Sequence, residues 1–444
     1  MSREMKHSGI PWIGEIPKEW GICRIKNVAT LYNGNSIKDE EKDNYTNPAN
    51  AIPYISTKDI DVTCQSINYE NGLYTDISDN TFKVAHADSS LMCIEGGSAG
   101  KKKCYVQQDV SFVNKLCCLA PKNINGKYLF YYLCSPNFES EFNKYISGLI
   151  GGVSVSILKN IDSILPPLSE QQKIASYLDR KCSEIDEMVV LQEKIIEELR
   201  AYKQSVITEA VTKGLNPDVP MKDSGIEWIG EIPESWRVAK LSTLFSFKGG
   251  YAFDSSEFGL NGNNQVIRIG NVKNDLLLLD TSPVYISDET AFKAQKSKLD
   301  KGQILFTMTG TKGKRDYFYT LLLKDNHFSD KKLYLNQRVG CFVEKDNVCA
   351  GYYNYLLKDK HILDVIFLYE TGTANQGNLG IESIKNTKVQ FPPLSEQQSI
   401  ASYLDEKCSE IDSLISIKQS KIESLKEYKK SIIYEYVTGK KEVI

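Results

Sequence analysis

The chain says most of what it says twice, and that repetition limits its fold more than any other feature. Residues 8–17 read SGIPWIGEIP and residues 224–233 read SGIEWIGEIP, nine matches in ten at an offset of 216. Residues 166–186, PPLSEQQKIASYLDRKCSEID, return at 392–412 as PPLSEQQSIASYLDEKCSEID, 19 matches in 21 at an offset of 226. Between these anchors, residues 20–165 and 236–391 have little obvious identity, and the ten-residue difference in offset falls there. Each half is thus a near-identical opening, a divergent middle and a near-identical long segment. Two copies are too few for a solenoid, which needs three or more units to bury a continuous core. A pseudo-twofold pair of domains fits better. At 444 residues, 41% hydrophobic and 25% charged, the chain has globular composition, which excludes a disordered or collagen-like polymer.

The long repeated segments read as helices. Ser169 with Gln172, and Ser395 with Gln398, have the S-x-x-Q spacing of a capping box, behind paired prolines that stop any earlier helix. Downstream runs an a/d stripe of Ile174, Leu178, Ile185, Met188, Ile195, Leu199, Tyr202 and Val206. Its second copy is Ile400, Leu404, Ile411, Leu414, Leu425, Tyr428 and Ile432; Lys181, Gln192, Lys407, Lys418 and Lys421 interrupt the two seams. Each helix is expected to extend roughly 40 residues, or ~60 Å. One apolar stripe on so long a helix needs a partner, and the nearest is the other copy, paired antiparallel. The alternative is that each helix packs only on its own domain. The expected fold class is therefore α/β (α+β), with two globular domains separated by two long antiparallel coiled-coil helices. The expected boundaries are a first domain at 1–167, a helix at 168–213, a linker at 214–223, a second domain at 224–393 and a second helix at 394–444. Within the middles, strand-like runs lie at 90–94, 110–119, 303–308 and 339–343, with short helices at 127–134, 350–358 and 359–369.

Catalytic signatures are missing. Adenine methylation needs an Asn/Asp-Pro-Pro-aromatic loop to hold the flipped base, and neither Asn47-Pro48-Ala49 nor Asn216-Pro217-Asp218 fits. The run Gly96–Lys101 is one residue short of a P-loop, and Lys102 stands where a magnesium-ligating Ser or Thr is required. Only four histidines are present, and the eleven cysteines form no CxxC pair, so neither a zinc site nor a disulfide framework is suggested. Buried, reduced thiols in a cytoplasmic protein are expected instead. No apolar signal core or membrane-length run occurs. No catalytic, metal or cofactor residue is assigned.

What remains points to a polyanion. The formal net charge is −3, so any attraction to nucleic acid must come from local patches. Gly96–Lys103, GGSAGKKK, follows a strand-like run in the first middle, and Thr309–Arg315, TGTKGKR, follows one in the second. Glycine permits close backbone approach, hydroxyls donate to phosphate, and cations supply counter-charge. Residues 296–315 carry six basic residues against one acidic. Gly97, Ser98, Lys101, Lys102 and Lys103, with Thr309, Thr311, Lys312, Lys314 and Arg315, are the candidate phosphate-side residues. A single such loop reads better as a solvated lysine turn; two at corresponding places favour a polyanion. About 20 residues further on, Asn114-Lys115 and Asn336-Gln337-Arg338 read as strand positions able to pair with base edges. A third region, Gly151-Gly152 and Asn375-Gln376-Gly377-Asn378, precedes each long helix.

The doubled pattern resembles the specificity subunit of type I restriction–modification systems. The residues carrying it are WIGEIP at 12–17 and 228–233, LPPLSEQQKIASYLD at 165–179, FPPLSEQQSIASYLD at 391–405 and TEAVTKGL at 208–215. The resemblance covers essentially the whole chain. It implies two target recognition domains, each reading one half of a bipartite, asymmetric site in double-stranded DNA. It also implies conserved helices that space the domains and dock two modification (methyltransferase) subunits, with restriction (translocase/endonuclease) subunits joining the complex. It further implies no catalytic centre in this chain: S-adenosylmethionine belongs to the adenine-N6 modification partner, ATP and Mg²⁺ to the restriction partner. Two other classes are weighed against it, a self-contained restriction-methyltransferase and a coiled-coil scaffold with no DNA role.

Overall fold

The structure, a computed structural model, describes residues 3–46, 50–148, 151–328, 331–373 and 375–443. Asn47-Pro48-Ala49 lies outside the described residues. The chain divides into two compact units, Met1–Ile195 with Lys418–Ile444, and Ile196–Ile417. Each unit therefore takes one divergent middle together with part of both long helices, Leu168–Lys213 and Leu394–Val437. No described helix is long and apolar enough to cross a membrane.

In the first unit, strand Gly21–Arg24 pairs antiparallel with Asp162–Leu165, so the divergent middle enters and leaves through one pair of strands. Its main sheet runs Ala29–Asn33, Leu116–Pro121, Ser90–Cys93, Lys103–Tyr105, antiparallel throughout. A second sheet centres on Ala51–Ile55 and Val110–Phe112, which are parallel. Ile55, Leu91, Cys104, Phe112, Leu116 and Cys118 form a fully buried cluster among these strands.

The second unit repeats this order. Arg237–Lys240 pairs with Lys388–Phe391. Its main sheet runs Phe245–Gly249, Val339–Glu344, Ile304–Thr307, Thr320–Leu322, and its parallel pair is Asn264–Ile267 with Lys332–Leu335. The middles share a topology without sharing a sequence because burial, not identity, defines each strand: Ser90–Cys93 and Ile304–Thr307 are buried at all four positions.

Three sequence expectations are corrected. The run 110–119 is two strands in different sheets, Val110–Phe112 and Leu116–Pro121, because exposed Asn114 and Lys115 form a turn in which the Leu116 N–H donates to Val113. The segment 214–223 is not all linker. Its last residues, Met221–Asp223, pair with Glu231–Pro233 just as Met5–His7 pairs with Glu15–Pro17. The polar latch at the start of each long helix uses Gln171 and Gln397, not Gln172 and Gln398. Gln171 accepts from the Asn125 N–H and donates to Pro166 O, both at 2.8 Å; Gln397 does the same with Cys349 and Pro392.

The helices pair antiparallel within each unit. In the first, Tyr177 stacks near Tyr436 (4.4 Å between centroids), and Asp186 accepts both bonds of Lys429 at 2.7 Å. In the second, Lys203 bonds both oxygens of Asp412. Positions 186 and 412, and 203 and 429, are equivalent at the repeat offset of 226, so the two units hold their helices by one device used twice. The helix ends are fastened the same way: the Tyr128 hydroxyl donates to Val437 O (3.2 Å) and the Tyr352 hydroxyl to Val211 O (2.8 Å). The buried stripe is broader than a strict a/d seam, because each helix also packs on the globular part of its unit. Cys182, Val189, Ile196 and Ile422 are buried, whereas Met188, Tyr202, Leu414 and Tyr428 stay exposed.

Candidate nucleic-acid interface

In the first unit, the loop after strand Ser90–Cys93 touches both other candidate regions. The Ile94 N–H donates to Lys115 O (3.1 Å), and the Val153 N–H donates to Ile94 O (2.9 Å). The Gly96 N–H donates to Gly151 O at 2.7 Å. In the second unit, the Met308 N–H donates to Arg338 O (3.3 Å), and the Leu379 N–H donates to Met308 O (3.0 Å). Three segments far apart in sequence thus converge at one end of the main sheet, by the same backbone bonds, in both domains. The third region differs in form. In the second unit it is a hairpin of Thr371–Thr373 and Gln376–Asn378, with Gln376–Asn378 also pairing Thr309–Gly310.

Around this convergence the candidate side chains separate into those already engaged and those left free. Lys103 is a correction: it is 1% exposed, donates to Leu133 O (3.0 Å) and pairs with Glu139 at 2.5 Å, so it belongs to the core and not to a phosphate. Lys102 is half-buried and donates to Thr57 O at 2.5 Å. Lys312 donates to Gly372 O (2.9 Å), which ties the first loop of the second unit to its hairpin. Arg315 pairs with Asp364 and lies over the Phe367 ring. A side chain so held must break its bond before it meets DNA. Lys101 reaches only Gly97 O of its own loop (3.3 Å). Lys115, Lys314 and Arg338 are exposed and make no side-chain bond or ion pair among the described residues.

The remaining candidates are polar. Gly97, Asn114, Gln337, Asn375 and Gln376 are exposed; Ser98, Thr309, Thr311 and Asn336 are half-buried. Asn114-Lys115 and Gln337-Arg338 occupy exposed turns rather than strand positions. The charge-rich stretch 296–315 is not one patch. Strand Ile304–Thr307 separates residues 296–301 from 309–315 by its four-residue length, ~13 Å, and Lys301 pairs with Asp325.

Sequence reasoning missed two groups. One is Tyr251, 37% exposed, whose N–H donates to Leu335 O and whose carbonyl accepts from the Gln337 N–H (3.1 Å). The other is an exposed apolar pair before each third region, Tyr145 and Ile146 in the first unit, Leu368 and Tyr369 in the second. Each pair follows the helix that leads to that region, Pro136–Lys144 or Lys360–Phe367. Neither group lies in a near-identical segment, so the repeat could not flag it. Among the described residues no group of His, Cys, Asp and Glu could hold a metal ion.

Two domains of one topology, each gathering loops at one sheet end and each carrying an antiparallel pair of helix segments, define a doubled recognition protein. The family model described as the type I restriction modification DNA specificity domain matches residues 17–201 and 233–427, and the chain belongs to that family. It is similar to the type I restriction enzyme MjaVIII specificity subunit of Methanocaldococcus jannaschii, 28% identical over 96% of this chain and 93% of that one. It is also similar to the EcoKI specificity subunit of Escherichia coli K12, 23% identical over 90% and 84%. Among solved structures, a chain from work on complex assembly and conformational transition of the type I R-M system superposes with a TM-score of 0.70. That match is 16% identical, over 96% of this chain and 99% of that one. The HsdS subunit from Thermoanaerobacter tengcongensis gives 0.53, also at 16% identity, over 96% and 98%. The chain is thus a DNA sequence-specificity subunit of a type I restriction–modification system, a non-catalytic component of that complex.

Proposed function

We propose that each recognition domain reads one half of a bipartite, asymmetric site in double-stranded DNA through the three segments gathered at its sheet end. The observation that carries this reading is the repeated convergence, with Lys101 held only within its own loop and Lys115, Lys314 and Arg338 making no side-chain bond or ion pair among the described residues. Free cations release counterions from DNA, whereas consumed ones cannot do so without cost. Asn114, Gln337, Asn375 and Gln376 add exposed amides suited to base edges.

The shared helices are the surface for two copies of one partner, the modification subunit, with restriction subunits completing the complex. Met188 and Leu414, Leu191 and Ile417, and Tyr202 and Tyr428 are equivalent at the repeat offset, and all six are exposed apolar side chains. Identity is retained on helices that meet the same partner twice and lost in middles that meet different half-sites. In this reading S-adenosylmethionine is held by the modification subunits, and ATP and Mg²⁺ by the restriction subunits. A gel shift with and without purified modification subunit, across a salt series, tests it. Site-specific retardation that steepens as salt falls is expected; equal retardation of all sequences would remove the reading.

A further inference from the structure

One turn in each cluster is held between the first loop and a further strand end. In the second unit, Asn336–Arg338 is bonded on one side to the first loop, by the Met308 N–H to Arg338 O, and on the other to Tyr251, whose carbonyl accepts from the Gln337 N–H while its own N–H donates to Leu335 O just before the turn. In the first unit, the turn 113–115 is bonded on one side through Ile94 to Lys115 O, and on the other the Asn35 N–H donates to Phe112 O at 2.9 Å. The neighbour is locked in both cases. A Cβ on Gly250 would stand 2.0 Å from Asn336 O, and one on Gly34 would stand 1.8 Å from Phe112 O, so only glycine lets these backbones meet. Each turn is therefore braced by close backbone contact at or just before it, as well as by the first loop. Lys115 and Arg338 occupy the same place in it, immediately before the strands Leu116–Pro121 and Val339–Glu344.

A braced turn carrying an unpartnered cation suits base readout, because backbone contacts can be made from the flanks while a base edge must be met at a fixed angle. We propose that Lys115 and Arg338 are equivalent specificity-determining residues, each reading a guanine in its own half-site from the major groove. Both cationic side chains pair with guanine O6 and N7, and the planar guanidinium does so with two parallel bonds. The second domain accordingly holds its guanine more strictly than the first. This inference rests on the DNA reading above and adds the base and the residue.

The test uses the full complex with its modification subunits, mapping methylated sites for the wild type, Arg338→Ala, Arg338→Lys and Lys115→Ala. Melting temperatures check that the exposed substitutions leave the fold intact. Each wild-type half-site is expected to contain a guanine. Arg338→Ala should relax that one position in one half-site by roughly 5- to 150-fold, Arg338→Lys should relax it less, and Lys115→Ala should relax only the other half-site. A half-site without guanine, or a variant that weakens all sequences equally and reduces the salt slope by about one, would overturn the proposal while leaving DNA recognition intact. A wild-type complex that maps to no sequence at all would overturn the DNA reading first.

Discussion

At the residue scale, the decisive distinction is between cations that the fold has used and cations that it has left. Lys103 and Lys101 are two positions apart, yet one ammonium is enclosed with Leu133 O and Glu139 and the other reaches no further than its own loop. Lys103→Met should destabilise the protein by about 1–3 kcal/mol, since the Leu133 carbonyl loses its donor in a buried place, and should leave the salt slope of DNA binding unchanged. Lys101→Ala should do the reverse: the melting temperature stays, and the slope of log affinity against log salt falls by about one. Equal stability loss in both variants would show that the sorting is wrong. The thiols divide likewise. Burial pushes Cys117, Cys182 and Cys341 up to about 12, whereas Cys64 is exposed, a departure from the expectation that all are buried. Alkylation of the native protein at pH 8 should modify Cys64 first, with half-buried Cys23 and Cys349 lagging; mass spectrometry reads the order.

At the scale of elements, the long helices were legible because capping, proline and apolar periodicity agree with one another. The stripe was legible only in part. An a/d pattern assumes a two-helix seam, and here each helix also faces its own domain, so burial widens to admit Cys182 and Val189 and leaves Met188 exposed. The cross-helix ion pairs were not legible at all, since Lys429 and Asp186 are 243 residues apart and charged residues at such positions are ordinarily solvated. Lys429 and Asp186 are 13% and 31% exposed, Lys203 and Asp412 are 26% and 58% exposed, so the two copies are not equal in worth. Double-mutant cycles to alanine should give a coupling near 1 kcal/mol for the first and a few tenths for the second. A larger coupling for the more exposed pair would contradict this.

The loops illustrate why residue-level readings lag behind segment-level ones. That 96–103 and 309–315 correspond was visible from their place after a strand; that each meets the other two candidate segments was not, since only the fold brings them together. Which lysine in GGSAGKKK points outward was not visible, because it depends on whether Leu133 and Glu139 stand behind it. Tyr251 was invisible for the same reason: only the fold brings residue 251 against residue 337.

At the scale of the whole molecule, the boundaries of the units fall inside helices, at 195/196 and 417/418, rather than at the ends of sequence segments. If the helices set the gap between half-sites, the change must be made in both at those boundaries. Four helical residues inserted after Ile195 and four after Ile417 add ~6 Å and a rotation of about 40°. At about 3.4 Å per base pair the preferred gap should widen by one to two base pairs, with the half-site sequences unchanged. An unaltered gap at full methylation would mean the helices are not the ruler.

The divergent middle 20–165 begins and ends beside a single pair of strands, Gly21–Arg24 and Asp162–Leu165, so replacing it with the segment from a relative carries both partners together. Genome-wide mapping of methylated adenines, in a strain lacking the gene, one carrying it and one carrying this exchange, tests the account most directly. The expected result is an interrupted, asymmetric motif that requires the gene, with the exchange rewriting one half and sparing the other. A gene-independent methylation pattern, or an exchange that rewrites both halves, would contradict it.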